Sequence, residues 1–251
     1  MKTDLVTFGF LHPGEVATQF SHSMLGAFMC DVTGKQRMVS HRLGKIAKEC
    51  HAARIAEGRN ELAADFLESG ATWLFQIDAD MGFAPDTIER LIASADQYRR
   101  PVMGGLCFGL KSDGASSFGG QRFRCQPTVF HMHETDDRVG WVPDFNYPRD
   151  QVVEVDGTGA ACMLIHRRAL EKVADEYGPE WYTPIRLRGD KVANFSEDLS
   201  FCVRLRAVDV PIHVDTRVKT THCKGGVYLD EEYFDLQQSV RALLPVGGDP
   251  L

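Results

Sequence analysis

The chain has 251 residues, 43% of them hydrophobic and 25% charged, a balance that suits one large folded α/β domain or two small ones. Lys and Arg number 28 against 35 Asp and Glu, so the net charge is -7. That balance excludes a general electrostatic footprint for nucleic acid or an anionic membrane, although Arg99, Arg100, Arg122 and Arg124 leave room for a local basic groove.

In chain order, Leu5 to Leu11 reads as a first strand, broken by His12-Pro13-Gly14. An apolar, helix-like stretch runs from Val16 to Met29, and Arg37 to Ser40 is a short second strand. Residues 43 to 69 read as mostly helical, with Gly58 interrupting the run and Gly70 ending it. Trp73-Leu74-Phe75-Gln76-Ile77 is the clearest strand, and it runs straight into Asp78-Ala79-Asp80. Pro85 opens the next helix, where Ile88, Leu91, Ile92 and Ala95 fall at helical spacing. A further strand spans Arg100 to Cys107. This first half is a β-α-β-α-β run of the kind that builds a parallel, doubly wound sheet.

Lys111 to Asp150 is rich in Gly, Ser, Pro and charge, and reads as loop with short irregular strands. Strands are expected at Val152–Val155 and Ala160–Ile165, flanking Gly157-Thr158-Gly159, and a helix over Arg167–Tyr177. Ser196 is placed as an N-cap for a helix over Glu197 to Ala207. Short strands at Pro211–Val214 and Arg217–Thr221 and an amphipathic helix from Asp230 to Leu244 complete the chain, with no repeat or linker that divides it.

The seven cysteines are odd in number and contain no C-x-x-C pair, which points to free thiols in a reducing compartment. Met1-Lys2-Thr3-Asp4 leads into a strand-like run rather than a signal peptide, and no apolar stretch approaches the length of a membrane span. A soluble cytoplasmic protein is the expectation. In that compartment the Asn194-Phe195-Ser196 glycosylation pattern carries no meaning.

Residues i and i+2 of a strand share a face, so Asp78 and Asp80 are expected to aim at one point. Two such carboxylates repel, and a divalent cation between them is the natural remedy. A hard cation held by one or two carboxylates completes its shell with water and substrate phosphates, which points to metal–diphosphate chemistry at a strand end. Asp86, nearer the following helix, is better placed than either acid to cap it. His222 is a candidate ligand beside them, since imidazole accepts divalent ions well. Glu197 and Asp198 suit the first turn of a helix on macrodipole grounds alone; the functional alternative makes one of them a general base. Arg59 opens a helix-like run and could clamp a diphosphate. Gly157-Thr158-Gly159 lacks the third glycine of a dinucleotide fingerprint and reads as a tight turn. His131-Met132-His133-Glu134 lacks spaced partners and reads as a polar loop.

Taken together, the order of His12-Pro13-Gly14-Glu15-Val16, Arg59-Asn60-Glu61-Leu62, Leu74 to Asp80, Gly157-Thr158-Gly159-Ala160, Ser196-Glu197-Asp198-Leu199-Ser200-Phe201-Cys202 and His222 resembles a GT-A glycosyltransferase of the family 2-like kind, over about Leu5 to Tyr228. The resemblance implies a Rossmann-like α/β fold with a mixed, mainly parallel central sheet in a single domain over 1–251. About 1–110 would form the nucleotide-binding half, about 111–228 the acceptor-binding half, and 229–251 a C-terminal tail. It further implies hexosyl transfer from a nucleoside-diphosphate sugar to a sugar, protein or small-molecule hydroxyl, with Mn2+ or Mg2+ bridging the diphosphate. Asp80 would be the direct metal ligand, Asp78 would touch metal or ribose, and His222 would be the third protein ligand. Asp198, with Glu197 beside it, matches the acid that deprotonates the acceptor in inverting members. Arg59 would lie near the diphosphate and the Pro13-Gly14 loop near the nucleoside. Family members often carry a base-reading acid at the end of the second strand, where this sequence offers Ser40-His41.

Two other readings compete. A haloacid dehalogenase-like phosphatase also places Asp-x-Asp after a strand, but close to its N-terminus. A non-catalytic nucleotide- or carbohydrate-binding protein on the same fold would keep the same residues. The sugar, the nucleotide, the acceptor, the stereochemical outcome and the oligomeric state stay open at this stage.

Overall fold

A computed structural model describes residues 4–38, 47–49, 54–115, 121–188 and 192–243. The elements run β1 (Val6–His12), α1 (Thr18–Thr33), β2 (Ala47–Glu49), α2 (Ile55–Glu68), β3 (Trp73–Asp78), β4 (Met81–Phe83), α3 (Thr87–Ser94) and β5 (Val102–Leu106). Then come β6 (Phe108–Ala115), β7 (Gln121–Pro127), β8 (Val129–Glu134), β9 (Val139–Pro143), β10 (Val152–Val155), β11 (Gly157–Thr158), β12 (Cys162–His166) and α4 (Arg167–Tyr177). The chain continues through β13 (Arg186–Leu187), β14 (Ala193–Asn194), α5 (Glu197–Ala207), β15 (Ile212–Lys224), β16 (Val227–Leu229) and α6 (Glu231–Leu243).

The main sheet has the order β10-β15-β5-β12-β3-β1-β2, with β4 and β16 attached to β15. β1 is parallel to β2 and β3, and β15 is parallel to β5. β12 runs antiparallel between β3 and β5, and β10 antiparallel to β15. Thus β1, β2, β3, β5 and β15 point one way and β4, β10, β12 and β16 the other. The sheet is mixed, as the resemblance implies, but only partly parallel, because β12 is inserted antiparallel between β3 and β5. Central strands covered on both faces need continuous apolar runs, and β5 and β12 are buried throughout. Aromatic residues glue the α1 side: Phe8 and Phe10 of β1 and Phe75 of β3 meet Phe20 and Phe28 of α1 and Phe83 of β4.

Several expected boundaries move. The stretch over residues 43–69 is not one helix, because β2 occupies Ala47–Glu49 and α2 starts only at Ile55. Gly58 is buried inside α2 rather than breaking it, whereas Gly70, at φ 73, does take the chain out of the helix. Of the strand expected over Arg37 to Ser40, Met38 makes one parallel bridge to Val6, and Ser40 and His41 lie outside the described residues. The segment expected as loop with short irregular strands carries longer, paired strands: β6 pairs with β7, and β8 with β9 and β11. The two short strands expected after Pro211 are one, β15, whose register shifts between Asp215 and Lys219. Cys30, Cys107, Cys125, Cys162, Cys202 and Cys223 are all free thiols, and Cys50 lies outside the described residues.

Candidate active site

The strand alternation that would aim both acids at one point stops at Asp78, where β3 ends, and Ala79-Asp80 turn the chain into β4. The two carboxylates therefore take different partners. Asp78 Oδ1 accepts from Arg59 Nη2 at 2.9 Å. Asp80 Oδ2 accepts from Lys224 Nζ at 2.6 Å, and its Oδ1 lies 3.3 Å from His222 Nε2. Backbone register brings these residues together: β4 pairs with β15 so that Met81 faces His222, and Cys223 N–H donates to the Asp80 carbonyl at 2.9 Å.

His222 Nδ1 lies 2.9 Å from the Phe108 carbonyl, a partner that can only accept, so Nδ1 carries the proton. Nε2 is thereby turned toward Asp80. Asp80 Oδ1 and His222 Nε2 are both buried, and beyond the long 3.3 Å ion pair with each other neither makes a well-aligned hydrogen bond. Burial would raise the Asp80 pKa, but His222 and Lys224 outweigh it and pull the carboxyl down to about 2. For His222 burial works against the imidazolium, and the Asp80 carboxylate reverses this to leave a raised pKa. An oxygen and an imidazole nitrogen, buried side by side, form a donor set that a hard divalent cation accepts. Among the described residues no three His, Cys, Asp or Glu side chains converge as a protein-only cage requires. Asp80 and His222 would thus leave most of an ion's shell to water and ligand oxygens.

A second cluster forms behind Asp78. Arg59, on α2, is only 2% exposed. Besides Asp78 it donates to the Ala160 carbonyl at 3.2 Å, and its Nε is 3.6 Å from Glu197 Oε1. Burial opposes the guanidinium charge, yet Asp78 and Glu197 outweigh it and raise its pKa. Arg59 thus ties the end of β3 to the start of α5 instead of lining the cavity described below. Burial pushes the Glu197 carboxyl above its usual range; Arg59 counters this and Asp198 adds to it. Asp198 Oδ1 accepts from Leu199 N–H at 2.8 Å and from the Ser196 hydroxyl. Ser196 does stand at the N-cap position, but it spends its hydroxyl on Asp198 rather than on a backbone N–H. Asp86 likewise stands at the N-cap of α3 without a side-chain cap bond.

The segment from Gly157 to Ala160 packs against the second cluster, with the Ala160 carbonyl on Arg59. A Cβ on Gly157 would meet the Trp141 ring at 2.8 Å, and one on Gly159 would lie 3.6 Å from Asp198 Oδ2. The tight turn expected for this motif is instead the short strand β11, paired with β8, and Gly157 is needed there because the Trp141 ring lies against its backbone.

A cavity of about 480 Å³ opens at the ends of β1 and β3. Leu11, Pro13, Val16 and Ile55 make its apolar side, and Asp78, Asp80 and Lys224 its polar side. Pro13 lines it directly. Gly14, with φ 104 and its N–H on His12 Nδ1 at 3.2 Å, makes the turn that sets Pro13 there. The sequence reading missed Lys224, although residues two apart on a strand share a face and His222 was already singled out. β2 ends at Glu49, in register with His12, so the second strand lies beyond the Ser40-His41 position at which the sequence ends it. Elsewhere, the exposed His131 of β8 lies 3.6 Å from the half-buried Asp144 and 3.8 Å from the half-buried Asp156.

No known family model matches the chain, and no curated protein does. Solved structures do. A197 from STIV superposes with a TM-score of 0.52 at 16% identity, covering 91% of each chain. GalNAc-T7, solved with UDP, GalNAc and Mn2+, gives a TM-score of 0.54 at 10% identity, over 88% of this chain and 44% of that one. This chain therefore spans a little under half the length of GalNAc-T7. The fold is the GT-A fold of glycosyltransferases. Among the described residues no helix is long and apolar enough to cross a membrane.

Proposed function

We propose that the protein is a metal-dependent glycosyltransferase that moves a sugar from a nucleoside-diphosphate donor to an acceptor hydroxyl with inversion. The observation that carries this reading is the buried pair of Asp80 Oδ1 and His222 Nε2, 3.3 Å apart beside a nucleotide-sized cavity at the strand ends. That UDP and Mn2+ are bound by GalNAc-T7, on the same fold, supports it.

In this reading Asp80 and His222 would hold the ion, Mn2+ or Mg2+, with Asp78 close by on the same wall. When bound, the ion offsets charge gathering on the leaving nucleoside diphosphate. The apolar wall of Leu11, Pro13, Val16 and Ile55 takes the nucleoside. Arg59 is a positioning residue: it holds Asp78 against Glu197 and so fixes the donor wall relative to the base. Asp198, with Glu197 behind it, takes the proton from the acceptor hydroxyl, a step that contributes about 10² to 10⁴ in rate. The phosphatase alternative needs Asp78 as a free nucleophile, and its hydrogen bond to Arg59 argues against that.

A thermal-shift screen of UDP, GDP, CDP and dTDP, each with Mn2+ and with EDTA, tests the reading. Stabilisation by one nucleotide only when metal is present is expected and names the donor class. No shift with any of the four, with or without metal, overturns it.

A further inference from the structure

Lys224 is unused by the chemistry just described, although its ammonium is the closest partner that Asp80 has, at 2.6 Å. The side chain is 48% exposed and lines the cavity. It stands at the last position of β15, where Gly225 (φ 57) and Gly226 (φ 86) turn the chain into β16. A Cβ on either glycine would meet nothing within 4 Å, so this hairpin tip has open space around it. One side of Asp80 is thus neutralised by a mobile-headed cation on a flexible stem, while the other faces the buried His222.

We infer that Lys224, held on Oδ2 of Asp80, is an internal counter-ion that opposes a divalent cation on Oδ1 of the same carboxylate and passes to the donor diphosphate when the ion binds. The inference rests on the metal-dependent reading above and deepens it. An ammonium and a divalent ion cannot share one carboxylate without strong mutual repulsion. Ion binding therefore frees Lys224 inside the cavity, where a diphosphate is the anion that needs it. The diphosphate in turn keeps Lys224 away from Asp80, so ion and nucleotide assist each other's binding, and each must raise the other's affinity by the same factor. Lys224 makes the site prefer the loaded pair over the bare ion.

The test compares wild type with Lys224→Met and Lys224→Arg, titrating Mn2+ alone by the EPR signal of the free ion and then UDP, or the nucleotide selected by the screen above, at saturating Mn2+ by calorimetry. Lys224→Met is expected to bind Mn2+ alone about 3- to 10-fold more tightly, because a competing charge is gone. It should bind the nucleotide with Mn2+ about tenfold more weakly, because a charge-assisted hydrogen bond is gone. Lys224→Arg keeps the charge and should stay within about twofold of wild type in both titrations. Unchanged Mn2+ affinity in Lys224→Met, with normal binding of Mn2+ and nucleotide by wild type, overturns the competition and leaves the transferase reading intact. Failure of wild type to bind either ion or nucleotide overturns both.

Discussion

Arg59 is the residue on which the site's internal geometry turns. It is buried, and it is the shared cation of Asp78 and Glu197, one at a strand end and one at a helix start. Removing one partner of a buried ion pair leaves the other uncompensated, at a typical cost of about 3–5 kcal/mol. Arg59→Met is therefore expected to lose stability on that scale in urea unfolding; a loss under about 1 kcal/mol would mean that the carboxylates find other partners. Asp198 belongs to a different class of prediction. Its Oδ1 is engaged by Leu199 N–H and Ser196, while Oδ2 faces the open backbone of Gly159. Asp198→Asn should keep donor binding and lose about 10² to 10⁴ of transfer rate. Turnover at the wild-type rate would remove Asp198 from the role of base.

At the level of elements, the turn between β3 and β4 and the strand β15 build the candidate metal pair, and Gly157 on β11 sets how closely Trp141 and Leu199 pack against the backbone. Gly157→Ala would push a methyl group to 2.8 Å from Trp141 Cζ3 and 3.3 Å from Leu199 Cδ2. Overpacking of this kind costs about 1–3 kcal/mol, and because Leu199 neighbours Asp198 it should lower transfer as well as the unfolding midpoint. A variant with an unchanged midpoint would show that the indole moves aside freely. The helices and central strands were legible because their signals are local: Arg167–Tyr177 and Glu197–Ala207 lie where spacing and first-turn residues put them. β6 to β9 were not legible. Their pairing is long-range and half-exposed, so Phe123 and Val142 face solvent at 49% and 50% while Cys125 and Val129 are buried, and the alternation is blurred. Asp80 and His222 were legible as a pair of residue types in a known order. The parting of Asp78 from Asp80 was not, since it depends on the strand ending at Asp78, two residues before the alternation would have repeated. Nor was the burial of Arg59, which reads on paper like any exposed helix start.

Over the whole molecule the charge balance is acidic, and several carboxylates are held below their ordinary range. Asp80 goes from 3.8 to about 2, with burial opposing and His222 and Lys224 prevailing. Asp215 is lowered too, Arg217 and Ser94 outweighing its burial. A depressed folded-state pKa contributes stability that is fully present above the unfolded value and is lost as pH falls through the folded one. Stability of the metal-free protein should therefore fall between about pH 4 and about pH 2, and Asp80→Asn should flatten part of that slope. Denaturant midpoints taken across this range check it; parallel slopes for variant and wild type would show that Asp80 carries none of the acid sensitivity. The sheet also has a temporal consequence. β12 lies between β3 and β5, yet it follows both in the chain, with the six strands β6 to β11 between β5 and itself. On the ribosome, β3 and β5 emerge as neighbours with a slot between them that nothing yet fills. The nascent chain must keep two apolar strand edges from pairing with each other, or with another chain, until Cys162–His166 arrives, and this makes elongation through residues 107–161 the interval in which a chaperone would matter most.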